Sequence, residues 1–143
     1  MLARIHATLG EGTPIDAGSA QTLRRVPGAY VLVMHLDAPV RFARAKIPEA
    51  SLSGWLVYAG SARGGGGIGA RLERHFKKDK RIHWHVDELT VAVSTMAAIA
   101  LPHGSECDIV ERLIGSRAFQ PALRGFGSTD CDRCPAHLLA LIG

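Results

Sequence analysis

Apolar and polar positions divide the chain into a few strong segments. Residues 30–36, YVLVMHL, are apolar almost throughout, which predicts a central strand covered on both faces. Pro27-Gly28 opens this strand, and the turn chemistry of Asp37-Ala38-Pro39 predicts its end. Residues 40–47 mix Val40 and Phe42 with Arg41, Arg44 and Lys46, the pattern of an exposed second strand of a hairpin. Residues 55–59, held between Gly54 and Gly60, predict a buried strand. From Ile68 the period becomes helical: Ile68, Leu72 and Phe76 form one apolar stripe, with Glu73, Arg74 and Lys77 on the far side. Arg71 and His75 fall at the border of the stripe, about 60° and about 20° from Ile68 at about 100° per residue. There a cation and an imidazole can point into a cleft beside the sheet.

Further on, IHWHVDEL at 82–89 predicts a short helix, with HWHV also able to extend as a strand. Residues 91–101 are rich in Val, Thr and Ile and predict a buried strand ending at Pro102. Residues 105–114 predict a helix, with Ser105 and Asp108 resembling a capping box and Gly115 at the C-terminal position. Residues 116–135 carry little regular pattern, and HLLALI at 137–142 closes the chain as an apolar strand. Residues 1–25 show no periodicity and predict an arm or loop. The order predicts an α/β (α+β) domain over residues 26–143, with a small, mostly antiparallel mixed sheet flanked by helices.

The chain has 143 residues, 47% of them hydrophobic, enough for one ordered domain with a real core. Seventeen basic residues against thirteen acidic give a formal charge of +4, a modest lean towards polyanions. The clustering matters more: Arg71, Arg74, Lys77, Lys78, Lys80 and Arg81 make either a solvated helix face or a phosphate-binding one. No apolar run reaches the ~20 residues that span a bilayer. The first twelve residues lack the continuous apolar run of a signal peptide, so the expected location is cytoplasmic, without a membrane partner.

Glu106 breaks the pattern of its helix. Asp108 and Glu111 fall outside, whereas Glu106 shares the direction of Ile109, Val110 and Leu113 at the helix N-terminus. It either curls back to solvent or faces a cleft; beside Arg71, such a carboxylate suits holding a divalent cation against a phosphate. Gly64, Gly66 and Gly69 fit G-x-G-x-x-G, but a run of four glycines matches it almost automatically, and a flexible connection is the competing reading. Cys131-x2-Cys134-x2-His137 has metal-ligand spacing, and Cys107 or His103 could complete a tetrahedral zinc site; three packed thiols are the alternative.

Gly28-Ala29-Tyr30 and Tyr58-Ala59-Gly60, followed by Arg71 and His75 on one helix and Glu106 on a later one, resemble the GIY-YIG nuclease superfamily. More narrowly, VPGAYVLVMHL, GWLVYAGSA, IGARLERHF, IHWHVDEL, SECDIVERL and GFGSTDCDRCPAHLL, in that order over about residues 26–142, resemble the GIY-YIG-like domain sometimes fused to endonuclease III. Both central isoleucines of the name motif are alanine here. The resemblance implies a metal-dependent endonuclease acting on nucleic acid, DNA first, in a setting such as repair. Tyr30 and Tyr58 would lie side by side and handle the attacking water, with Gly28 and Gly60 shaping the backbone and Gly60 letting its strand turn. Arg71 would steady the phosphate, His75 would assist proton transfer or phosphate contact, and Glu106 would bind a single Mg²⁺ or Mn²⁺. The rival expectation is a non-catalytic nucleic-acid-binding module using Arg74, Lys77, Lys78 and Arg81. A third is an interaction module built on structural zinc at Cys107, Cys131, Cys134 and His137.

Overall fold

The computed structural model describes residues 1–44, 47–127 and 133–142. In chain order the elements are α1 (Leu2–Leu9), β1 (Thr13–Ile15), a 3-10 turn (Ala20–Leu23), β2 (Gly28–Arg44), β3 (Ile47–Ala62), α2 (Gly67–Phe76), α3 (Asp87–Thr90), β4 (Thr95–Pro102), α4 (Glu106–Gly115), β5 (Phe119–Pro121) and β6 (Leu138–Leu141). The six strands form one antiparallel sheet in the order β1-β4-β2-β3-β6-β5. The domain is therefore α+β, a small sheet flanked by helices.

Strand β2 lies at its centre, and its continuous apolar run explains why. Tyr30, Leu32, Met34 and Leu36 point to one face, where they meet Ile68 and Leu72 of α2 and Leu89 of α3. Ala29, Val31 and Val33 point to the other, against Ile5 and Leu9 of α1 and Ile109, Val110 and Leu113 of α4. Both faces are buried, as a strand with period-two alternation between two apolar layers requires.

Several boundaries differ from the sequence pattern. Residues 1–25 are not an arm or loop: α1 inserts Ile5 and Leu9 into the core, and β1 pairs with β4 from Thr13↔Ala100 to Ile15↔Ala98. Two apolar positions and a three-residue strand are too short a signal to stand out in a Gly/Ser-rich segment. Asp37-Ala38-Pro39 does not end the first strand. The register shifts between Leu36 and Val40 in a bulge, and β2 continues. Residues 40–44 belong to β2 and residues 55–59 to β3, two long partners, while Lys46 of the expected second strand lies outside the described residues; Gly54 lies within β3 opposite Leu36. Of the expected helix 82–89 only residues 87–89 are helical, in a turn that runs on to Thr90, and the strand expected from 91 starts at Thr95. Ser105 precedes α4 but makes no side-chain cap hydrogen bond, so the capping box is not formed. A short strand, β5, appears in the stretch expected to be irregular. No helix among the described residues is long and apolar enough to cross a membrane.

Candidate functional site

A cavity of about 500 Å³ opens at one end of the sheet, lined by residues from β2, β3, α2, the 83–86 segment, α4 and the lead into β6. Strand β6 pairs with β3 only over Leu56–Tyr58, with one further bond from Ala59 N–H to the His137 carbonyl. Among the described residues that leaves one flank of Gly60 and Ser61 without a strand neighbour. Glu106, from the helix layer on the opposite face, lines the same cavity as both.

Tyr30 and Tyr58 stand on neighbouring strands, two register positions apart, with ring centroids 6.5 Å from each other. Gly60 faces Tyr30 directly across the ladder, and a Cβ there would collide with the phenol ring. It does not turn the strand; its role is to make room for the tyrosine, a correction to the expected hinge. Gly28 pairs with both Ala62 and Pro102 and lies in the ladder, outside the cavity lining.

His75 is buried completely rather than at the border of its stripe, and its Nε2 lies 2.7 Å from the Tyr30 hydroxyl. Burial, followed by the charge of Lys80, pushes His75 down to about 3, so the imidazole is neutral at neutral pH. Its Nδ1 is buried without a hydrogen-bond partner. Burial, then the neighbouring Tyr58, raises Tyr30 well above the usual phenol range, with Arg71 acting in the opposite direction. Burial raises Tyr58 to about 12, again opposed by Arg71 and reinforced by Glu106. Both phenols keep their protons in the resting site.

Arg71 projects from α2 with its guanidinium carbon 4.5 Å from the Trp84 ring centroid, a cation–π contact that fixes its direction. Glu106 is half-buried; its Oε2 is shut off from solvent and has no hydrogen-bond partner among the described residues. A carboxylate oxygen left so is costly unless something cationic meets it. Arg63, His83, His85 and His137 add cationic or titratable groups to the lining. The site thus presents two arginines and three histidines around one carboxylate, which suits a phosphate with a cation.

The rest of the basic run behaves differently from a uniform face. Arg74 donates to Asp87 at 2.7 Å and to the Arg81 carbonyl at 3.0 Å. Lys78 donates to the carbonyls of Thr90 and Val93, and Lys80 to those of Arg74 and His75 at the end of α2. These three cations hold the fold together, while Lys77 and Arg81 remain exposed. Asp87, fully buried, also accepts from the backbone N–H groups of His83 and Trp84. Burial pushes its carboxyl up, but those bonds and Arg74 outweigh that and leave it below the usual range. It thereby braces the segment that places Trp84 beneath Arg71.

The glycine run is not a free connection either. The Arg25 N–H donates to the Gly66 carbonyl, and a Cβ at Gly67 would strike the backbone of Arg25 and Val26. A Cβ at Gly69, inside α2, would strike the backbone of residues 20–24, so its absence lets the helix seat against the 3-10 turn. With every strand pairing antiparallel, the βαβ unit of a dinucleotide fold is not built.

Behind the cavity, Cys107, Cys134 and His137 are all buried, and one ligand atom from each lies within 4.8 Å of the others. This cluster could hold a metal ion. Cys131 lies outside the described residues, and His103, exposed in the turn after β4, is not in the group. Burial lowers His137, while Glu106 and a hydrogen bond with the Gly127 backbone act the other way.

Helical spacing singled out Arg71 and Glu106, and the resemblance added Tyr30 and Tyr58; all four share the cavity, and His75 supports it through Tyr30. Sequence reasoning missed Arg63, Trp84 and the cavity roles of His83, His85 and His137. Trp84, an aromatic between two histidines just after a basic helix, was the available signal. Comparison with curated proteins finds no match, and neither does comparison with solved structures. The family model described as Domain of unknown function DUF123 matches residues 29–142, a span that includes every residue lining the cavity, and the chain belongs to that family.

Proposed function

We propose that this cavity hydrolyses phosphodiester bonds in nucleic acid, DNA first, as a metal-dependent endonuclease of the GIY-YIG type. The observation that carries the reading is the unpartnered Oε2 of Glu106 in a cavity shared with Arg71, Tyr30 and Tyr58. That oxygen fits the group the reading requires, since a single carboxylate suits Mg²⁺ or Mn²⁺, which keep several of their own waters. Bound there, the ion would polarise a phosphate oxygen and stabilise the leaving group.

The chain's own residues supply the rest. Arg71, aimed by its stack on Trp84, binds the non-bridging oxygens and gains strength as charge develops on them. Neutral His75 fixes the Tyr30 hydroxyl through the 2.7 Å bond, so that the phenol orients water or phosphate at the cavity wall. Tyr58, kept protonated by burial, offers the second phenolic oxygen beside Arg71. Arg63, Lys77 and Arg81 lie exposed and can steer the polyanion by charge.

The test is cleavage of supercoiled plasmid and of branched DNA with Mn²⁺, comparing the native chain with Glu106→Gln. Metal-dependent nicking that disappears in the variant supports the reading. Equal cutting by both assigns the activity to a contaminant. Binding without cutting in either makes the chain a nucleic-acid-binding module.

A further inference from the structure

We propose that Cys107, Cys134 and His137 form a second metal centre, holding a thiophilic divalent transition ion, zinc first, that clamps the start of α4 to the segment entering β6. It differs in donor chemistry from the neighbouring Glu106 position, which lines the same cavity as His137, and does not rest on the nuclease reading.

Three observations converge. The first is distance: donor atoms at about 2.0–2.3 Å around one tetrahedral ion lie about 3.3–3.8 Å apart. The three ligand atoms are already within 4.8 Å of one another, so side-chain rotation closes the gap without moving the backbone far. The second is the state of the imidazole. His137 is 7% exposed, yet its Nε2 is buried with no hydrogen-bond partner among the described residues. The Gly127 backbone bonds the ring, and a second hydrogen bond of this kind is what orients a metal-ligating histidine. The third is donor chemistry: two sulfurs and an imidazole select zinc and its neighbours over Mg²⁺, which prefers oxygen.

The ligands come from two separated stretches, one in the first turn of α4 and two just before β6. Ser105 makes no side-chain cap hydrogen bond to this helix start. A metal on Cys107 would anchor that turn. It would hold α4 against the lead into β6, where His137 contributes to the cavity wall.

The native chain is stripped with a chelator and refilled with Zn²⁺ or Co²⁺. The proposal expects about one equivalent of tightly held zinc, a rise in the melting temperature on refilling, and a thiolate-to-cobalt charge-transfer absorption with Co²⁺. Cys107→Ser and Cys134→Ser should each lose most of that absorption, and Glu106→Gln should keep it. Far less than one equivalent of zinc, with no thiolate absorption in the native chain, overturns the proposal even if the cysteine variants fail to fold. Loss of zinc in Glu106→Gln overturns the separation of the two centres. Glu106→Gln that retains zinc but loses Mn²⁺-dependent cutting supports both readings independently.

Discussion

Tyr30 faces Gly60 across the β2–β3 ladder, and its phenol ring fills the space where a Cβ of residue 60 would stand. The cavity wall therefore depends on the absence of one methyl group. Gly60→Ala should destabilise the chain by about 1–3 kcal/mol through overpacking, read as a shift in urea midpoint at constant slope. In a Tyr30→Ala background the same substitution should cost much less. Equal penalties in both backgrounds would show that the ring contact is not the cause.

The Tyr30–His75 bond predicts acid sensitivity. His75 is lowered from its ordinary 6.5 to about 3, so between those values the unfolded chain binds the proton and the folded chain does not. Stability from this group is complete above about pH 6.5 and declines as the pH falls towards 3. At about 1.4 kcal/mol per pH unit, the loss by pH 4.5 is on the order of 2–3 kcal/mol. His75→Gln can still hydrogen-bond to Tyr30 but cannot titrate, and it should flatten the pH profile. Parallel profiles for the two chains would place the proton uptake elsewhere.

Arg74 should behave as a structural residue rather than a nucleic-acid contact. Arg74→Ala leaves the buried carboxylate of Asp87 without its closest cation and should cost about 3–5 kcal/mol. Lys77→Ala, at an exposed position on the same helix end, should change stability by no more than about 0.5 kcal/mol. Chemical denaturation of the two variants distinguishes them directly. Comparable small effects would mean that Lys80, 4.0 Å from the Asp87 carboxylate, suffices as its partner.

Arg71 carries the opposite expectation. Arg71→Lys keeps a charge but loses the planar fork and the stack on Trp84, so cleavage should fall by about 100-fold or more with little change in melting temperature. Removing Lys77 and Arg81 together should weaken DNA binding at all sequences and lower the salt slope by about 2. A slope unchanged in that double variant would move the binding face away from the end of α2.

How much of this was legible in the sequence follows from the range of each signal. The all-apolar run of β2, the four-residue spacing of Ile68 and Leu72, and the inward direction of Glu106 are local patterns, and each found its place. In sequence Asp87 looks like an ordinary acid on a short helix. Only Arg74, thirteen residues earlier, and the N–H groups of His83 and Trp84 reveal it as a buried brace. Pro39 reads as a turn because proline normally ends a strand, but a bulge accommodates it. The pairing of β1 with β4 joins residues 13–15 to 98–100, and no window of sequence contains both. Lys78 and Lys80 show only charge in sequence, whereas their bonding to carbonyls depends on where α2 ends relative to α3.

The two outermost strands, β1 and β5, are three residues long, and each contains a proline, Pro14 in one and Pro121 in the other. A proline offers no N–H to an incoming strand, and three residues give too short a ladder to template one. Where β2 and β3 run past their neighbours, register shifts at Leu36/Val40 and Phe42/Arg44 interrupt the regular spacing of donors and acceptors. Among the described residues the sheet margins are thus poorly suited to recruit a second chain by main-chain pairing, a built-in resistance to edge-to-edge aggregation in a protein whose sheet is buried on both faces.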